Sequence, residues 1–579
     1  MTYSILFSSH RLLKVLEVLA LLAVALAFFR PRFAAFFFSG IETPLRRIAL
    51  SAPRAILLAA LFPMTVRVLM LPWYPPPPPQ IHDEFSYLLQ GDTFAHGRVA
   101  NPTPPYWEHF ETEYTLLQPT YASQYQPGQG LALAAGQVIF GHPWWGVWLS
   151  VGVMCGAVCW ALRAVVPPVW ALAGALGTAL QIGIFGLWMN SYFGGAIAAT
   201  AGALVLGSVA RIRRSHRVAW SGAICGFGII LLFSTRPFEA LLWSAVAASF
   251  TLPKWRISRR ALLPFAAVFV VGASALAWYN WRITGDPLDP PYLAYQRVYG
   301  TPQPYWWQNP VHISDFRFPE IRDNYLNQLH LYDKRDSLRD VWAAERTRLA
   351  NFWRFFIGPF LSPALMFLLY LRRDRRIRLW LLASIPFIID KATYHAWYPA
   401  QNAPATILIV LMLLQAWRHL RVWSRERRIG VAMTRCLAAA FCLAIIFGNL
   451  GRAIEPLLPK RQLAHLAPIW ESLYPARRLR DEVNAQLATI PGAHLVFVKY
   501  APKHCFCEEW VFNGAAIDKQ RIIYARPYTP ESDVALAEAF PDHDIWLVEP
   551  DAKPYRISLL DLAELAKVSE EQPATPVGQ

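Results

Sequence analysis

Apolar runs of membrane length, separated by clusters of arginine, constrain this chain more than any single motif does. A helix needs about 20 apolar residues to cross a bilayer. Runs approaching or reaching that length occupy 15–29, 55–71, 144–162, 169–188, 193–210, 218–233, 238–252, 261–278, 355–371, 379–389, 404–417 and 431–447. They predict about twelve spans. Basic clusters lie between them, at Arg46/Arg47, Arg211 to Arg217, Lys254 to Arg260, Arg372 to Arg378 and Arg418 to Arg428. When each cluster is placed in the cytoplasm, the side of every connection alternates without a violation. The outer face then holds 72–143, the turns at Asn190 and Arg236, the loop 280–354, the loop 390–402 and everything after Asn449. Trp73, Trp144, Trp145, Trp188, Trp278 and Trp281 sit at outward ends, as an interfacial belt requires.

Composition narrows the class further. Of 579 residues, 55% are hydrophobic and 16% charged, which is too apolar for a string of soluble domains. A formal charge of +16 would suggest nucleic acid, but the arginines are spent on the connections between spans, and no nucleic-acid partner is expected. Most of the seven cysteines stand singly in apolar runs and argue against a disulfide framework. Cys505 and Cys507 lie in a polar region, and their spacing lacks the second pair that a zinc site needs. The tail differs in kind: it has polar helical stretches at 477–487 and 531–540, and β-branched or aromatic runs at 494–500, 521–525 and 544–548. The expected architecture is mainly α, a polytopic helical membrane protein. Residues 1–448 form the transmembrane part with outer loops 72–143 and 280–354, and residues 449–579 a small extracytoplasmic α/β domain.

The densest chemistry lies in the first outer loop, from Ile81 to Gly130. Asp83 and Glu84 head it, directly after an apolar run and the Pro75 to Pro79 tract. On a helix their side chains point about 100° apart, so one can act while the other orients or binds. Asp83 reads as a base or acceptor-orienting carboxylate, because transfer to a hydroxyl or amine needs a group to take its proton. The alternative is a solvated helix N-terminus, where acidic residues suit the dipole. His82, Glu108, His109, Glu111 and Glu113 could join the pair in a divalent-metal site, though no recognised ligand spacing supports one. The pattern makes no cofactor certain and leaves a metal open. Tyr106, Trp107, Phe110, Tyr114, Tyr121 and Tyr125 offer flat amphipathic faces that suit sugar rings or the headgroup level. The QPGQG stretch after Tyr125 is expected to turn the chain back towards the bilayer. Two further outer positions run against the positive-inside trend: Arg236, followed by Glu239, and Lys391 with His395. A lipid-linked phosphate would account for them; snorkelling to the interface is the alternative.

The acidic pair in the first large outer loop, the many spans and the outer C-terminal domain together resemble the C superfamily of membrane glycosyltransferases (GT-C). The chain is similar to its family-39-like members: protein O-mannosyltransferases, the lipid A aminoarabinose transferase and lipopolysaccharide-core transferases. The blocks HDEFSYLLQGDTFAHGR, PTYASQY and MNSYFGG look like those of an uncharacterised bacterial branch. The resemblance implies a polyprenyl-phosphate sugar donor, inverting transfer on the outer leaflet, Asp83 as catalytic base and Glu84 as its partner. It further implies a multi-pass protein of the bacterial inner (cytoplasmic) membrane, in contact with membrane lipids. His109, Glu111, Tyr121, Tyr125, Arg236, Lys391 and His395 are the expected substrate-binding residues. The block from Trp107 to Gln129 departs from the characterised mannosyltransferases, so the acceptor stays open between a glycan, a lipid and a protein. A transporter or flippase of lipid-linked sugars is the alternative class. Transporters place ionisable residues at the midplane of broken, repeated helices, whereas this chain concentrates them in outer loops.

Overall fold

The computed structural model describes residues 10–33, 35–79, 81–300, 305, 308, 313, 316–333, 338–394, 398–454, 475–502, 504–505 and 508–570. The chain divides into two compact units. One comprises 1–77, 147–273 and 338–469, and the other 78–146, 274–337 and 470–579.

The first unit is helical, and each apolar run read from the sequence falls wholly or mainly on helix. Among the described residues, six helical segments are long and apolar enough to cross a membrane: Ala52–Leu69, Trp144–Leu162, Gly195–Arg213, Pro237–Thr284, Gln401–Val422 and Ile429–Ile446. A seventh candidate is the pair Arg339–Phe356 and Gly358–Leu371, bent by 87°. The break falls at Gly358, whose φ of 64° lies in the left-handed region that favours glycine, and Pro359 follows it. Shorter apolar helices at Gly128–Phe140, Pro168–Gly183 and Val218–Phe233 complete the set. This is a polytopic helical membrane protein with a small α/β region. Within Ala52–Leu69, Arg67 is 2% exposed and donates to the carbonyls of Tyr74 (2.6 Å) and Pro75 (3.1 Å) and to Asn190 (3.3 Å). A buried guanidinium in an apolar helix is tolerable only with such partners, and here they tie down the start of the proline tract.

The second unit carries the polar chemistry. Its helices are α1 (His82–Ala95), α2 (Gly128–Phe140), α3 (Pro291–Tyr299), α4 (Pro319–Asp333), α5 (Pro475–Thr489), α6 (Pro530–Ala539) and α7 (Leu562–Glu570). A two-residue hairpin pairs β1 (Thr115–Leu116) with β2 (Ala122–Ser123). The QPGQG stretch does more than turn the chain: Pro127 is the N-cap of α2, which begins at Gly128. Glycine inside that helix has a packing reason, since a Cβ on Gly130 would meet the Gln90 side chain of α1 at 2.4 Å.

In the tail, β3 (Ala493–Val498), β4 (Ile522–Ala525), β5 (His543–Glu549) and β6 (Arg556–Leu559) form one sheet in the order β4-β3-β5-β6. β3 runs parallel to β4 and β5, and β6 is antiparallel to β5. The strand period of two sorts the side chains. Leu495 and Phe497 face a core shared with Leu536, Leu565 and, from the first loop, Leu89, Phe110, Leu117 and Tyr121. Val496 and Val498 face the opposite core, with Val483 and Leu487 of α5 and with Trp510. The tail and the first outer loop therefore share apolar side chains. Cys505 is disulfide-bonded, while Cys507 lies outside the described residues.

Candidate active site

Helix α1 organises the site by its own periodicity. Residues three or four apart share a face, and Asp83, Ser86, Tyr87 and Gln90 form one stripe, turned towards the segment that ends at Tyr125. The Tyr125 hydroxyl donates to Asp83 Oδ1 at 2.5 Å. Tyr87 stacks on Tyr125 at 4.2 Å. Ser86 donates to the Tyr114 carbonyl at 2.6 Å and lies 2.7 Å from the Ser123 hydroxyl. Gln90 donates to the Tyr125 carbonyl and to the Tyr279 hydroxyl, each at 2.7 Å. The opposite stripe faces the tail: Phe85 stacks on Phe512 at 3.5 Å, and Asp92 accepts from the Ala515 amide at 2.7 Å.

The acidic pair separates as its helical positions require. Asp83 is half-buried beside Tyr125. Glu84 is 1% exposed and turns back to the helix N-terminus, where Oε2 accepts from the Ile81 amide at 3.3 Å. That is the reciprocal half of an N-terminal cap.

Opposite α1 stands a second carboxyl. Glu113 is 3% exposed, lies 3.2 Å from His82 Nε2 and accepts from the Asn324 side-chain amide. Burial pushes its pKa well above the usual carboxylate range; the charges of Glu509, Asp83 and Glu320 add to this, and Arg526 opposes it. Glu113 therefore holds its proton more tightly than an ordinary carboxyl does. The phenols of Tyr114, Tyr125 and Tyr295 are raised well above their ordinary value, chiefly by burial, and stay neutral donors. Tyr114 holds a left-handed φ of 58°, at a cost of about 1–3 kcal/mol for a non-glycine residue. Its carbonyl is fixed by Ser86 and Gln124, and Gln328 donates to its hydroxyl at 3.1 Å. Asn324 and Gln328 lie one turn apart on α4, and that i, i+4 polar pair was the available sequence signal for them.

The raised pKa of Glu113 gives a stability prediction with a definite sign. A carboxyl whose folded value exceeds its unfolded value contributes fully below about pH 4.3, and that contribution is lost as pH rises through the folded value. The melting temperature of the wild-type protein in detergent should fall more steeply than that of Glu113→Gln as pH rises above neutrality. Parallel declines in the two proteins would show that the group is already ionised.

The other expected residues fall in several places. Glu111 accepts from Arg317 Nη1 at 2.8 Å. His109 is fully buried, with Nδ1 2.8 Å from the Arg526 carbonyl and Nε2 2.8 Å from the Ser532 hydroxyl. Asp533 lies 3.3 Å from Nδ1 and would favour a charged ring, but burial outweighs it and holds the imidazole below its usual value. Tyr121 is 3% exposed and donates to the Asn513 carbonyl at 3.0 Å. His109 and Tyr121 thus link the loop to the tail, whereas Asp83, Glu113, Tyr114 and Tyr125 come together. Arg236 and Lys391 belong to the other unit. There Lys391 is matched by Glu239 at 2.8 Å and Asp390 at 2.7 Å, and Arg236 is the N-cap of the helix Pro237–Thr251. His395 lies outside the described residues. Among the described residues, no group of three His, Cys, Asp or Glu side chains is placed to hold a metal ion.

The fold is that of a multi-pass helical membrane protein, and its polar cluster gathers Asp83, Glu113 and several tyrosines in the second unit. No protein-family model and no curated protein matches the chain. Among solved structures it is similar to ArnT from Cupriavidus metallidurans in the apo state, at 14% identity and a TM-score of 0.45, covering 84% of this chain and 91% of that one. The same protein bound to undecaprenyl phosphate gives 15% identity and a TM-score of 0.45, covering 85% and 92%. The Archaeoglobus fulgidus oligosaccharyltransferase in complex with Zn and sulfate gives 13% identity and a TM-score of 0.44, covering 86% and 67%. Likenesses this distant transfer no chemistry, and the site is read from its own residues.

Proposed function

We propose that this protein is a membrane glycosyltransferase. It moves a sugar from a polyprenyl-phosphate carrier to a glycan, lipid or protein hydroxyl at the outer face of the bacterial inner membrane. The observation that carries the reading is Asp83, held by the Tyr125 hydroxyl in a tyrosine-lined cluster that also contains the buried carboxyl of Glu113. The sequence blocks around Asp83 support the same reading, and the alternation of arginines supports the outer face.

In the proposed step Asp83 takes the acceptor proton as the acceptor oxygen bonds to the anomeric carbon. The carbon–oxygen bond to phosphate breaks, and the polyprenyl phosphate leaves with the electron pair. Glu113, held by His82 and Asn324, positions the loop that carries Tyr114. Tyr87, Tyr114 and Tyr125 supply flat faces for the sugar. The test is transfer of a labelled sugar from its polyprenyl phosphate, presented on the outer side of oriented vesicles, to delipidated envelope fractions. Absence of transfer with every fraction would refute the reading.

For the donor phosphate, Arg236 and Lys391 are both candidates in the spanning unit; Lys391 pairs with Glu239 and Asp390, and the charge of Arg236 also acts on Glu239. Arg236→Gln should express normally and weaken apparent donor affinity roughly 10- to 150-fold, the equivalent of a charge-assisted contact of about 1.5–3 kcal/mol. Lys391→Gln should instead lower the folded yield, because it strands Glu239. Unchanged donor affinity in Arg236→Gln would return that residue to a snorkelling role.

A further inference from the structure

A cavity of about 190 Å³ opens in the second unit, beside the acidic site, and no role has been assigned to it. Trp107, Glu111, Gln118, Tyr299, Phe316 and Arg317 line it, together with aliphatic side chains. We propose that it holds one neutral sugar ring of a glycan acceptor, a reading that rests on the transfer function above.

Size sets the first limit. Pockets for drug-sized ligands run to about 300–1,000 Å³, so this cavity excludes a polyprenyl chain and suits a single ring. Polarity sets the second. Arg317 is paired with Glu111 at 2.8 Å, and its guanidinium lies 4.8 Å from the Trp107 ring centre. A paired guanidinium and carboxylate carry no net charge, yet offer both donors and acceptors, which matches vicinal hydroxyls better than an anion. The buried Nε of Arg317 has no hydrogen-bond partner among the described residues, so one donor remains for a ligand. The aromatic and aliphatic lining meets the apolar face of the ring.

Position sets the third. A line of tyrosines leads from the cavity to the acidic pair. Tyr299 lies 4.7 Å from Tyr295, Tyr295 lies 5.9 Å from Tyr114, and Tyr114 lies 6.3 Å from Tyr125, which bonds Asp83. Glu111 and Glu113, two residues apart, mark the two ends of this wall. An acceptor that reaches both places is longer than one sugar. A glycan satisfies this requirement, and a short peptide hydroxyl does not need the cavity.

The experiment uses oligosaccharides released by mild acid from the envelope of cells lacking the protein, separated by anion exchange into neutral and acidic pools. Binding to the full-length protein in detergent is read by saturation-transfer NMR. The neutral pool should bind wild type and Asp83→Asn alike. Gln118→Trp, at an exposed position that closes the cavity, and Trp107→Ala should each weaken that binding roughly tenfold or more. Loss in Gln118→Trp with a normal melting temperature separates blocked binding from misfolding. Binding of the acidic pool alone, no binding of either pool, or full binding in Gln118→Trp would each overturn the proposal. Neutral-pool binding without any sugar transfer by wild type would uphold the subsite and remove the transferase reading.

Discussion

Asp83→Asn should yield a folded, membrane-inserted protein whose transfer rate is lower by roughly 10²–10⁴-fold, the usual contribution of a positioned general base. Asparagine keeps the shape and still accepts from the Tyr125 hydroxyl, so the geometry survives while proton uptake is lost. Glu84→Gln should cost far less activity, because that side chain faces its own helix terminus at Ile81. Tyr125→Phe should lie between them, since it frees Asp83 from its donor but keeps the stacking on Tyr87. The measurement is labelled transfer in oriented vesicles, with donor binding recorded in parallel. Wild-type rates in Asp83→Asn would leave the acidic pair as a helix terminus and nothing more.

Removal of Arg526 should produce the largest loss of stability. Its side chain is 2% exposed. It pairs with Glu509, reaches Glu320 at 3.1 Å and donates to the Glu111 carbonyl at 2.9 Å, while its own amide donates to the His109 carbonyl at 2.8 Å. One residue thus holds the tail, helix α4 and the active-site loop together. Breaking a buried pair by deleting one partner costs about 3–5 kcal/mol, because the other charge is left desolvated. Arg526→Met should therefore lower the melting temperature sharply and open the loop 105–125 to protease. The double variant Arg526→Met/Glu509→Met should recover part of the loss, since Glu509 is then no longer stranded while Glu320 still lacks its partner. A single variant that melts like wild type would mean that the tail is held by its apolar contacts alone.

These two results concern a link that the sequence hid. Strands β3, β4 and β5 were legible as β-branched or aromatic runs, and α5 and α6 as polar periodic stretches, whereas β6 and α7 were not read from the sequence. Their helical and strand periods are local properties of a few consecutive residues. That Arg526, Glu509 and Asn513 would meet His109, Glu111 and Tyr121 depends on residues about 400 positions apart, and no local pattern encodes such a distance. For the same reason His109 and Tyr121 read as substrate-binding residues, although the structure makes them contacts between loop and tail. Cys505 belongs here too: C-x-C spacing alone gave no reason to expect its disulfide bond.

By itself the sequence determined the membrane class and the helices of the spanning unit, and it raised the expectations for the side of each arginine cluster and for chemistry at Asp83. Each of these follows from hydropathy, period or charge within a short window, where solvent or lipid decides the outcome without reference to the rest of the chain. Only the tertiary structure decided that Glu84 accepts from its own helix terminus at Ile81 while the more distant Glu113 meets His82 at the start of the same helix. Only the tertiary structure raised the pKa of Glu113, since that shift depends on burial and on Asp83, Glu320 and Glu509, charges drawn from three separate parts of the chain. Electrostatic energy in a low-dielectric site depends on distances through space, and a sequence gives distances only along the chain.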